Sequence, residues 1–160
     1  MSNETTAQKI LSEIKYATIA TASKNGEPWN TPVFCAHDGY DIFWSSHPDS
    51  LHSKNIANNN KVFICIYNPK AAEGEGVGLY MKATAQVLHD KGEIAHALEL
   101  LGQRRGAPFK HVEKFIGDGP QRIYKAVPLQ VWINDAHQDA DGDFIKDFRI
   151  ELNVDTKQWN

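Results

Sequence analysis

The stretch YATIATASKNGEPWNTPVFCAHDGYDIFW, residues 16–44, contains three runs of β-branched and aromatic residues separated by two short polar breaks. The breaks hold Asn25-Gly26 and Asp38-Gly39, dipeptides that tight hairpin turns prefer because their central residues must tolerate positive φ. The pattern predicts a meander of three antiparallel strands. These predicted strands are Tyr16–Thr21, Trp29–Ala36 and Tyr40–Trp44.

Four later segments have strand patterns as well. They are Lys61–Tyr67, Leu79–Leu88, Arg122–Asn134 and Phe144–Val154, with Asp141-Gly142 as a turn between the last two. The run Val62–Ile66 is apolar at every position, which is typical of a barrel strand that is also covered from outside. Seven strands in antiparallel order predict a mainly β fold, a barrel with peripheral helices.

Helix signals occur between these strands. A capping-box pattern at Thr5–Gln8 predicts a helix from Thr6 to Lys15, and Asp49 or Ser50 can cap a helix from Leu51 to Ala57. Asn58–Asn60 ends the latter, since asparagine accepts the left-handed conformation. Two further helices are predicted, one opened by Asp90 and Glu93 and ended by Arg104-Arg105-Gly106, and one from Pro108 to Ile116, closed by Gly117.

Composition limits the possible functions. A chain of 160 residues with 41% apolar and 23% charged residues is typical of one globular domain, here residues 1–160 with an N-terminal helix at 1–15 and a C-terminal extension at 135–160. The net charge of −3 gives no broad basic face, so we expect no nucleic-acid partner. The polar segment Met1–Gln8 and the short apolar runs predict a cytoplasmic protein without a membrane span.

Several chemistries find little support. Cys35 and Cys65 lie in strand-like apolar runs without CxxC spacing, which favours buried thiols over a disulfide. The segment from His137 to Gly142 superficially suggests a calcium loop, but its twelfth position is Phe148, where an EF-hand needs an acid. The histidine spacings do not favour zinc or iron, and no G-x-S-x-G motif occurs. We therefore expect no metal site and no hydrolase nucleophile, and we interpret Ser46-His47 as turn residues.

One stretch does suggest ligand binding. In FWSSHPDSLHSKN, residues 43–55, a strand breaks into hydroxyl residues and a short helix with Lys54 in its first turn. Helix N-terminal N–H groups, serine hydroxyls and an ammonium group suit a phosphate dianion. The residues alone leave two interpretations open, a phosphate site and a capped helix start with a solvated lysine.

The order of motifs along most of the chain resembles the pyridoxamine 5′-phosphate oxidase-like flavoproteins. The matching segments are Ala17–Thr21, Asn25–Pro28, Phe43–Ser46, Lys54–Ile56, the strand after Asn60, and Tyr124–Trp132. The resemblance implies an antiparallel split β-barrel and a homodimer with FMN bound at the subunit interface.

The resemblance also implies a set of cofactor-binding residues. Asn30, Thr31, Pro32 and Val33 would run beside the flavin ring and ribityl chain, Trp44 and Ser45 would flank the cofactor, Ser53 and Lys54 would hold the phosphate, and Trp132 would approach the flavin from the partner subunit. Strand-edge amides can hydrogen-bond the polar edge of the ring, and aromatic faces can cover its apolar body.

The implied function is flavin-dependent oxidoreduction of a small molecule, with the flavin carrying the redox chemistry and no protein nucleophile. At the phosphate-binding motif this chain has Ser53-Lys54, where pyridoxamine 5′-phosphate oxidase itself has Arg-Lys. The segment Ile133–Asp135 lacks that enzyme's basic, histidine-bearing run, so the substrate is left open. The alternatives are a non-catalytic flavin- or haem-binding sensor or carrier, and a deazaflavin-dependent reductase on the same fold.

Overall fold

Seven antiparallel strands form one sheet in the computed structural model, which describes residues 2–74, 76–141 and 144–153. The strands are β1 Tyr16–Ala22, β2 Pro28–Asp38, β3 Asp41–Ser46, β4 Lys61–Tyr67, β5 Gly78–Val87, β6 Arg122–Gln138 and β7 Phe144–Glu151. They are ordered β3-β2-β1-β4-β5-β6-β7. The predicted meander and the four later strands are confirmed.

The sheet closes on itself through its longest strand. The first part of β6 pairs with β3, from Arg122 opposite Ser46 to Ala126 opposite Ile42. This closes a six-stranded barrel of β1–β6. The later part of β6 leaves the barrel seam and pairs with β7, from Trp132 opposite Glu151 onward. The structure therefore confirms the predicted split β-barrel.

The barrel interior is filled by alternate residues of the strands, as period-two alternation predicts. In β1 the inward residues Ala17 and Ile19 are fully buried, and in β4 the inward residue Ile64 is as well. Trp44 of β3 has no exposed surface and stacks on Tyr124, with ring centroids 5.5 Å apart and an interplanar angle of 13°.

Helix α1, Asn3–Glu13, closes the end of the barrel where β1 begins. It inserts Ala7 and Leu11, both buried, into the barrel cluster, and Ile10 and Ile14 pack beside them. The predicted start at Thr6 is wrong by three residues. Ser2 is the N-cap, because its hydroxyl accepts a hydrogen bond from the Thr5 N–H at 3.2 Å.

Helix α2, Leu51–Asn58, closes the opposite end. Its Asn55 side chain donates to Thr21 Oγ1 near the end of β1, at 3.0 Å. Ser50 is the N-cap, as predicted. The predicted left-handed ending is wrong: Asn59 is extended, with φ −146°, because the chain passes directly into β4.

Helix α3, Lys91–Arg105, covers the outer side of β2, β3 and the first part of β6. Asp90 caps its start and Gly106, with φ 81°, ends it, as predicted. Arg104 reaches past the helix end to the carbonyls that end α1, those of Leu11, Ser12 and Ile14. These charge-assisted hydrogen bonds fasten α1 to α3.

Among the described residues of the chain, no helix covers the outer side of β1, β4 and β5 in the same way. Phe63 is 38% exposed and Tyr67 50% exposed, although their inward neighbours Ile64 and Ile66 are buried. The prediction that β4 is covered on both faces is therefore wrong for the described residues of one chain. Its apolar outer residues form a free face of the sheet.

Two predicted turns occur with different geometry. The β1–β2 connection spans residues 23–27, with Ser23 N–H bonded to the Glu27 carbonyl at 2.9 Å, and only Gly26 has positive φ, 86°. It is longer than the two-residue turn that Asn25-Gly26 predicts. In the β2–β3 turn the central residues are Gly39, with φ 55°, and Tyr40, because Asp38 still pairs with Asp41.

The predicted helix from Pro108 to Ile116 is wrong. Only a 3₁₀ helix, Val112–Phe115, forms there, followed by Gly117 with φ 57°. The predicted Asp141-Gly142 turn and the end of the strand to Val154 lie partly outside the described residues. Cys35 and Cys65 are both free thiols, as predicted, and burial raises the pKa of Cys35 to about 11.

Candidate functional site

A cleft of about 500 Å³ lies at the α2 end of the barrel. Its walls come from α2, from the end of β5 and from the start of β6. The lining side chains used below are Asp49, Ser53, Lys54, His89, Arg122 and Tyr124. Ser53 and Lys54, the residues predicted to hold a phosphate, are therefore brought together in one cleft.

The two strong cations of the cleft differ in their engagement. The Arg122 guanidinium donates to the carbonyls of Gly119 at 2.6 Å and Gln121 at 2.7 Å, and also to the Gly117 carbonyl. Lys54 is 58% exposed and its Nζ lies 3.7 Å from Asp49 Oδ1, a loose surface ion pair. The Lys54 ammonium can therefore turn toward an anion at little cost, whereas the Arg122 guanidinium is fixed on the loop.

A hydrogen-bonded network of side chains lies beside Lys54. His52 Nε2 is 2.8 Å from Ser46 Oγ and 3.2 Å from Ser50 Oγ. Ser50 Oγ in turn donates to Ser53 Oγ at 2.8 Å. Because the hydroxyl hydrogen of Ser50 goes to Ser53, the contact between His52 and Ser50 requires Nε2 to carry the hydrogen.

Because of this network, the N-cap side chain of α2 does not make the usual capping hydrogen bond. An N-cap serine ordinarily accepts a hydrogen bond from a backbone N–H of the first helical turn. The side chains of Ser2 and Asp90 do so at the starts of α1 and α3. Ser50 makes no such bond, because its hydroxyl is held by side chains. The N–H groups at the start of α2 are left without that acceptor.

The buried polar side chains at the α2 end of the barrel are uncharged or hydrogen-bonded. His52 is only 7% exposed, and burial lowers the pKa of its imidazole below the ordinary value. Asn55 is 5% exposed and its amide is satisfied by Thr21. The positive charge available to a ligand in the cleft therefore comes from Lys54 and Arg122 and not from His52.

The residues predicted beside the flavin ring lie on β2 and β3. Asn30 and Pro32 are exposed on the outer side of β2, Thr31 is half-buried, and Val33 is buried in the barrel. Asn30 pairs with Ala20 near the α2 end of β1. The half-buried Ser45 lies near the end of β3, whereas the indole of Trp44 lies in the core, stacked on Tyr124, which lines the cleft.

Trp132 lies on the free outer face, away from these residues within the same chain. It is half-buried and stacks on Phe63, with ring centroids 6.4 Å apart. The register places Trp132 opposite Tyr80, Tyr80 opposite Cys65, Cys65 opposite Thr18, and Thr18 opposite Pro32. Four strand spacings, about 19 Å along the sheet, therefore separate Trp132 from Pro32. One chain does not bring all the predicted residues into one site.

Sequence reasoning missed four residues of this end: His52, His89, Arg122 and Tyr124. His52 could have been found, since it shares a helical face with Ile56 at i+4. Arg122 and Tyr124 join the cleft only because β6 pairs with β3 to close the barrel, a long-range contact without a local signal. His47 was interpreted correctly as a turn residue, since its Nδ1 accepts from the Asp49 N–H at 3.1 Å. The same interpretation is wrong for Ser46, which is the last residue of β3.

Other site types receive no support from the described part of the chain. Residues 2–74, 76–141 and 144–153 contain no group of three or more His, Cys, Asp or Glu side chains placed to hold a metal ion. In those same ranges, the helices are too short or too polar to cross a bilayer.

Solved structures with the same fold come from several bacteria. A protein proposed to give 5-nitroimidazole antibiotic resistance in Bacteroides thetaiotaomicron is 14% identical, with a TM-score of 0.70 over 83% of this chain and 84% of that one. The heme storage protein HutZ of Vibrio cholerae is 17% identical, with a TM-score of 0.68 over 82% and 94%. A protein proposed as a pyridoxamine 5′-phosphate oxidase of Listeria innocua is 16% identical, with a TM-score of 0.65 over 82% and 98%.

At these identities the structural similarity establishes the fold, and the family is established by the sequence match. No curated protein matches the chain significantly. The family profile described as pyridoxamine 5′-phosphate oxidase matches residues 4–135, from the second residue of α1 to Asp135 in β6, a range that includes β1–β5, α2 and α3. The chain therefore belongs to the pyridoxamine 5′-phosphate oxidase family.

Proposed function

We propose that this chain binds FMN and acts as a flavin-dependent oxidoreductase on a small molecule. The observation that carries the proposal is the pairing of Ser53 with Lys54 in the cleft at the start of α2, in a chain of this family. A phosphate monoester is the part of FMN that such a cluster of donors suits best.

The residues present fit a phosphate group. Lys54 supplies an ammonium group that only a loose ion pair holds, and Ser53 supplies a hydroxyl whose oxygen already accepts from Ser50. The first N–H groups of α2 have no intrahelical acceptor, and the N-cap side chain does not take them. The helix dipole adds favourable potential at the same place.

The flavin ring would lie along the outer side of β2, where Asn30 and Pro32 are exposed. A lone chain leaves that face open to solvent, and Trp132 is too far away in the same chain to cover it. A homodimer resolves both problems, because the free outer face with Phe63, Tyr67 and Trp132 supplies apolar surface for contact with a second copy.

Dimer formation can be tested on its own by sedimentation velocity. Phe63→Glu places a charge in the proposed interface and should give monomers at concentrations where the unmodified chain is dimeric. Val112→Glu is the control, since Val112 is similarly exposed, at 40%, but lies beyond α3. An unmodified chain that sediments as a monomer would contradict the dimer.

The roles proposed for the flavin and for the protein follow from the residues that line the cleft. The bound flavin would supply the electron-transfer chemistry. The chain's own residues would fix the phosphate through Ser53 and Lys54 and exclude water from one side of the ring. No side chain of the cleft is assigned as a nucleophile, because both thiols lie outside it and burial raises their pKa values.

The visible spectrum of the purified protein tests the cofactor directly. Flavin absorption, or its appearance with quenched fluorescence after FMN is added, is the expected result. A protein that remains colourless and binds neither FMN nor haem would contradict flavin and haem binding alike.

Lys54→Ala tests the phosphate position. FMN affinity should fall by about tenfold to a hundredfold, because a charge-assisted contact with the phosphate is lost. Riboflavin affinity should stay the same, since riboflavin has no phosphate. Lys9→Ala is a matched control: Lys9 is also 58% exposed and also in a loose ion pair, with Glu13 at 4.0 Å, but lies on α1. Unchanged FMN affinity in Lys54→Ala would refute the assignment.

Haem binding is the second candidate. It is favoured by the similarity to the heme storage protein HutZ and by His89, which lines the cleft and carries an imidazole that can ligate haem iron. Titration with haem should then give a Soret band that His89→Ala shifts or removes. A Soret band insensitive to this change would exclude His89 as the ligand.

A further inference from the structure

The hydrogen-bond donors at the start of α2 face a competitor within the chain. The Ser50 hydroxyl oxygen could accept from a backbone N–H of the first turn, as N-cap serines do, or from the Ser53 hydroxyl. Either bond would remove a donor that the proposed phosphate site needs. In the structure the Ser50 hydroxyl does neither, because it donates to Ser53 and makes no bond to the helix backbone.

His52 is the residue that holds Ser50 in this state. Its Nε2 lies between Ser46 Oγ, at 2.8 Å, and Ser50 Oγ, at 3.2 Å. An Nε2 that carries a hydrogen and donates it to Ser50 Oγ cannot accept the Ser50 hydrogen, which goes to Ser53 instead. The Ser53 oxygen then serves as acceptor, and its own hydrogen has no partner in residues 2–74, 76–141 and 144–153.

We propose that His52 is a positioning residue of the oxyanion site: its Nε2–H keeps the Ser50 hydroxyl away from the donors of Ser53 and the first turn of α2. The inference rests on the proposed function, since the oxyanion is taken to be the phosphate of FMN. It goes further in assigning a role to a buried histidine that does not touch the ligand.

Two structural observations support this assignment independently of the sequence family. His52 and Ser53 are 7% and 3% exposed, so water does not freely replace the hydrogen bonds that each makes with Ser50. Ser53 nevertheless lines the cleft together with Lys54, so its free hydrogen has access to a ligand there. If the network only stabilised the start of the helix, the N-cap side-chain oxygen would accept a hydrogen bond from a backbone N–H of the first turn, as the side chains of Ser2 and Asp90 do.

The test compares FMN with riboflavin, which differ only by the phosphate, by fluorescence titration of the full chain. His52→Leu removes the Nε2–H and should weaken FMN binding about tenfold, the value of one charge-assisted hydrogen bond. Riboflavin affinity should change less than about twofold, because the ring site is untouched. His52→Gln, whose amide N–H can reach the same oxygen, should retain FMN affinity within about threefold.

The double variant His52→Leu with Ser50→Ala separates positioning from packing. Removing the Ser50 hydroxyl removes the competitor, so the double variant should bind FMN more tightly than His52→Leu alone. Additive losses would overturn the inference. Equal weakening of FMN and riboflavin in His52→Leu would also overturn it, since that pattern indicates general damage.

Two further outcomes keep the test decisive. If His52→Leu does not fold, Ser50→Ala takes its place: it removes the competitor for the Ser53 hydrogen, so FMN and riboflavin affinities should both stay within about twofold, and a selective loss of FMN affinity would overturn the inference. If the unmodified chain binds FMN no better than riboflavin, the proposed function itself fails. If it prefers FMN but His52→Leu has the same preference, only the role of His52 fails.

Discussion

The two ends of the barrel are closed by helices of similar size that use opposite chemistry. Helix α1 inserts Ala7 and Leu11, flanked by Ile10 and Ile14. Helix α2 inserts Ile56 together with three buried polar residues, His52, Ser53 and Asn55. An apolar plug stabilises a barrel through surface removed from water, whereas each buried polar group must first recover its lost hydration through hydrogen bonds.

The difference supports the proposal that the α2 end binds a ligand. Apolar residues at the α2 end could have closed the barrel as α1 does, without the constraint of a hydrogen-bonded network. The chain instead keeps histidine, serine and asparagine beside a cleft that contains Lys54. Sites that bind ligands often sacrifice local stability in this way. We therefore expect variants at the α1 end to affect stability alone, and variants of the cleft residues Ser53 and Lys54 to affect binding more than stability.

Leu11→Ala should have the largest effect on stability. Leu11 is 2% exposed in the barrel plug, so truncation leaves a cavity and should lower the free energy of unfolding by about 3 kcal/mol. Urea denaturation measures this change. FMN affinity of the folded variant should be unaltered. Leu51→Ala is the control, since it makes the same substitution at a residue of α2 that is 46% exposed, and it should change stability by less than about 0.5 kcal/mol.

Asn55→Ala should have an intermediate effect. The variant loses the hydrogen bond from Asn55 Nδ2 to Thr21 Oγ1, which joins α2 to β1, and should be less stable by about 1.5 kcal/mol. Asn58→Ala is the comparison, because Asn58 lies on the same helix but is exposed. If both variants lose the same stability in urea, the buried bond is not what fastens α2 to the barrel.

The pH dependence of stability should be the smallest effect. Burial lowers the pKa of both His37 and His52 below the ordinary value of 6.5, so the unfolded chain takes up protons before the folded chain does. Above pH 6.5 both histidines are neutral in the folded and the unfolded chain, and the free energy of unfolding does not depend on them. As the pH falls below 6.5, each histidine lowers the free energy of unfolding by at most about 1.4 kcal/mol per pH unit.

Urea denaturation at pH 7.5 and pH 5.5 measures this dependence. His52→Gln removes one of the two groups and should be less sensitive to the lower pH than the unmodified chain. An identical pH dependence in the variant would show that His52 takes up its proton equally well in the folded state. That result would remove the electrostatic distinction between the two ends.

Local patterns in the sequence were sufficient for most of the fold. Runs of β-branched, aromatic and other apolar residues identified all seven strands, with β4 predicted from Lys61 to Tyr67 as found, and the Asp90 and Gly106 signals bounded α3. Turn geometry was harder, because Asn25-Gly26 suits a two-residue turn while the β1–β2 register requires a connection of five. Of the helix predicted after Pro108, only the 3₁₀ helix Val112–Phe115 forms, and the loop that follows it bonds Arg122 through the carbonyls of Gly119 and Gln121.

Local sequence patterns also predicted part of the candidate site. Ser53 and Lys54 are neighbours along α2, and hydroxyl and ammonium groups at a helix start have a recognisable chemistry. His89, Arg122 and Tyr124 reach the same cleft from other strands and loops, through pairings that no local pattern contains. The exposure of the outer face of β4 was also unpredictable, since an apolar run does not say whether its cover comes from the same chain or from another.

The hairpin of β6 and β7 has a consequence for solubility. Beyond Ile133, β6 leaves β5 and, among the strands that the structure describes, pairs with β7 alone, so the two form a two-stranded ribbon in which Phe144 and Ile145 are both more than half exposed. An apolar edge strand of this kind is a template for aggregation. The charged residues Lys146 and Asp147 that follow serve as gatekeepers against edge-to-edge pairing. Their replacement by threonine should leave the barrel folded and lower the concentration at which the protein aggregates.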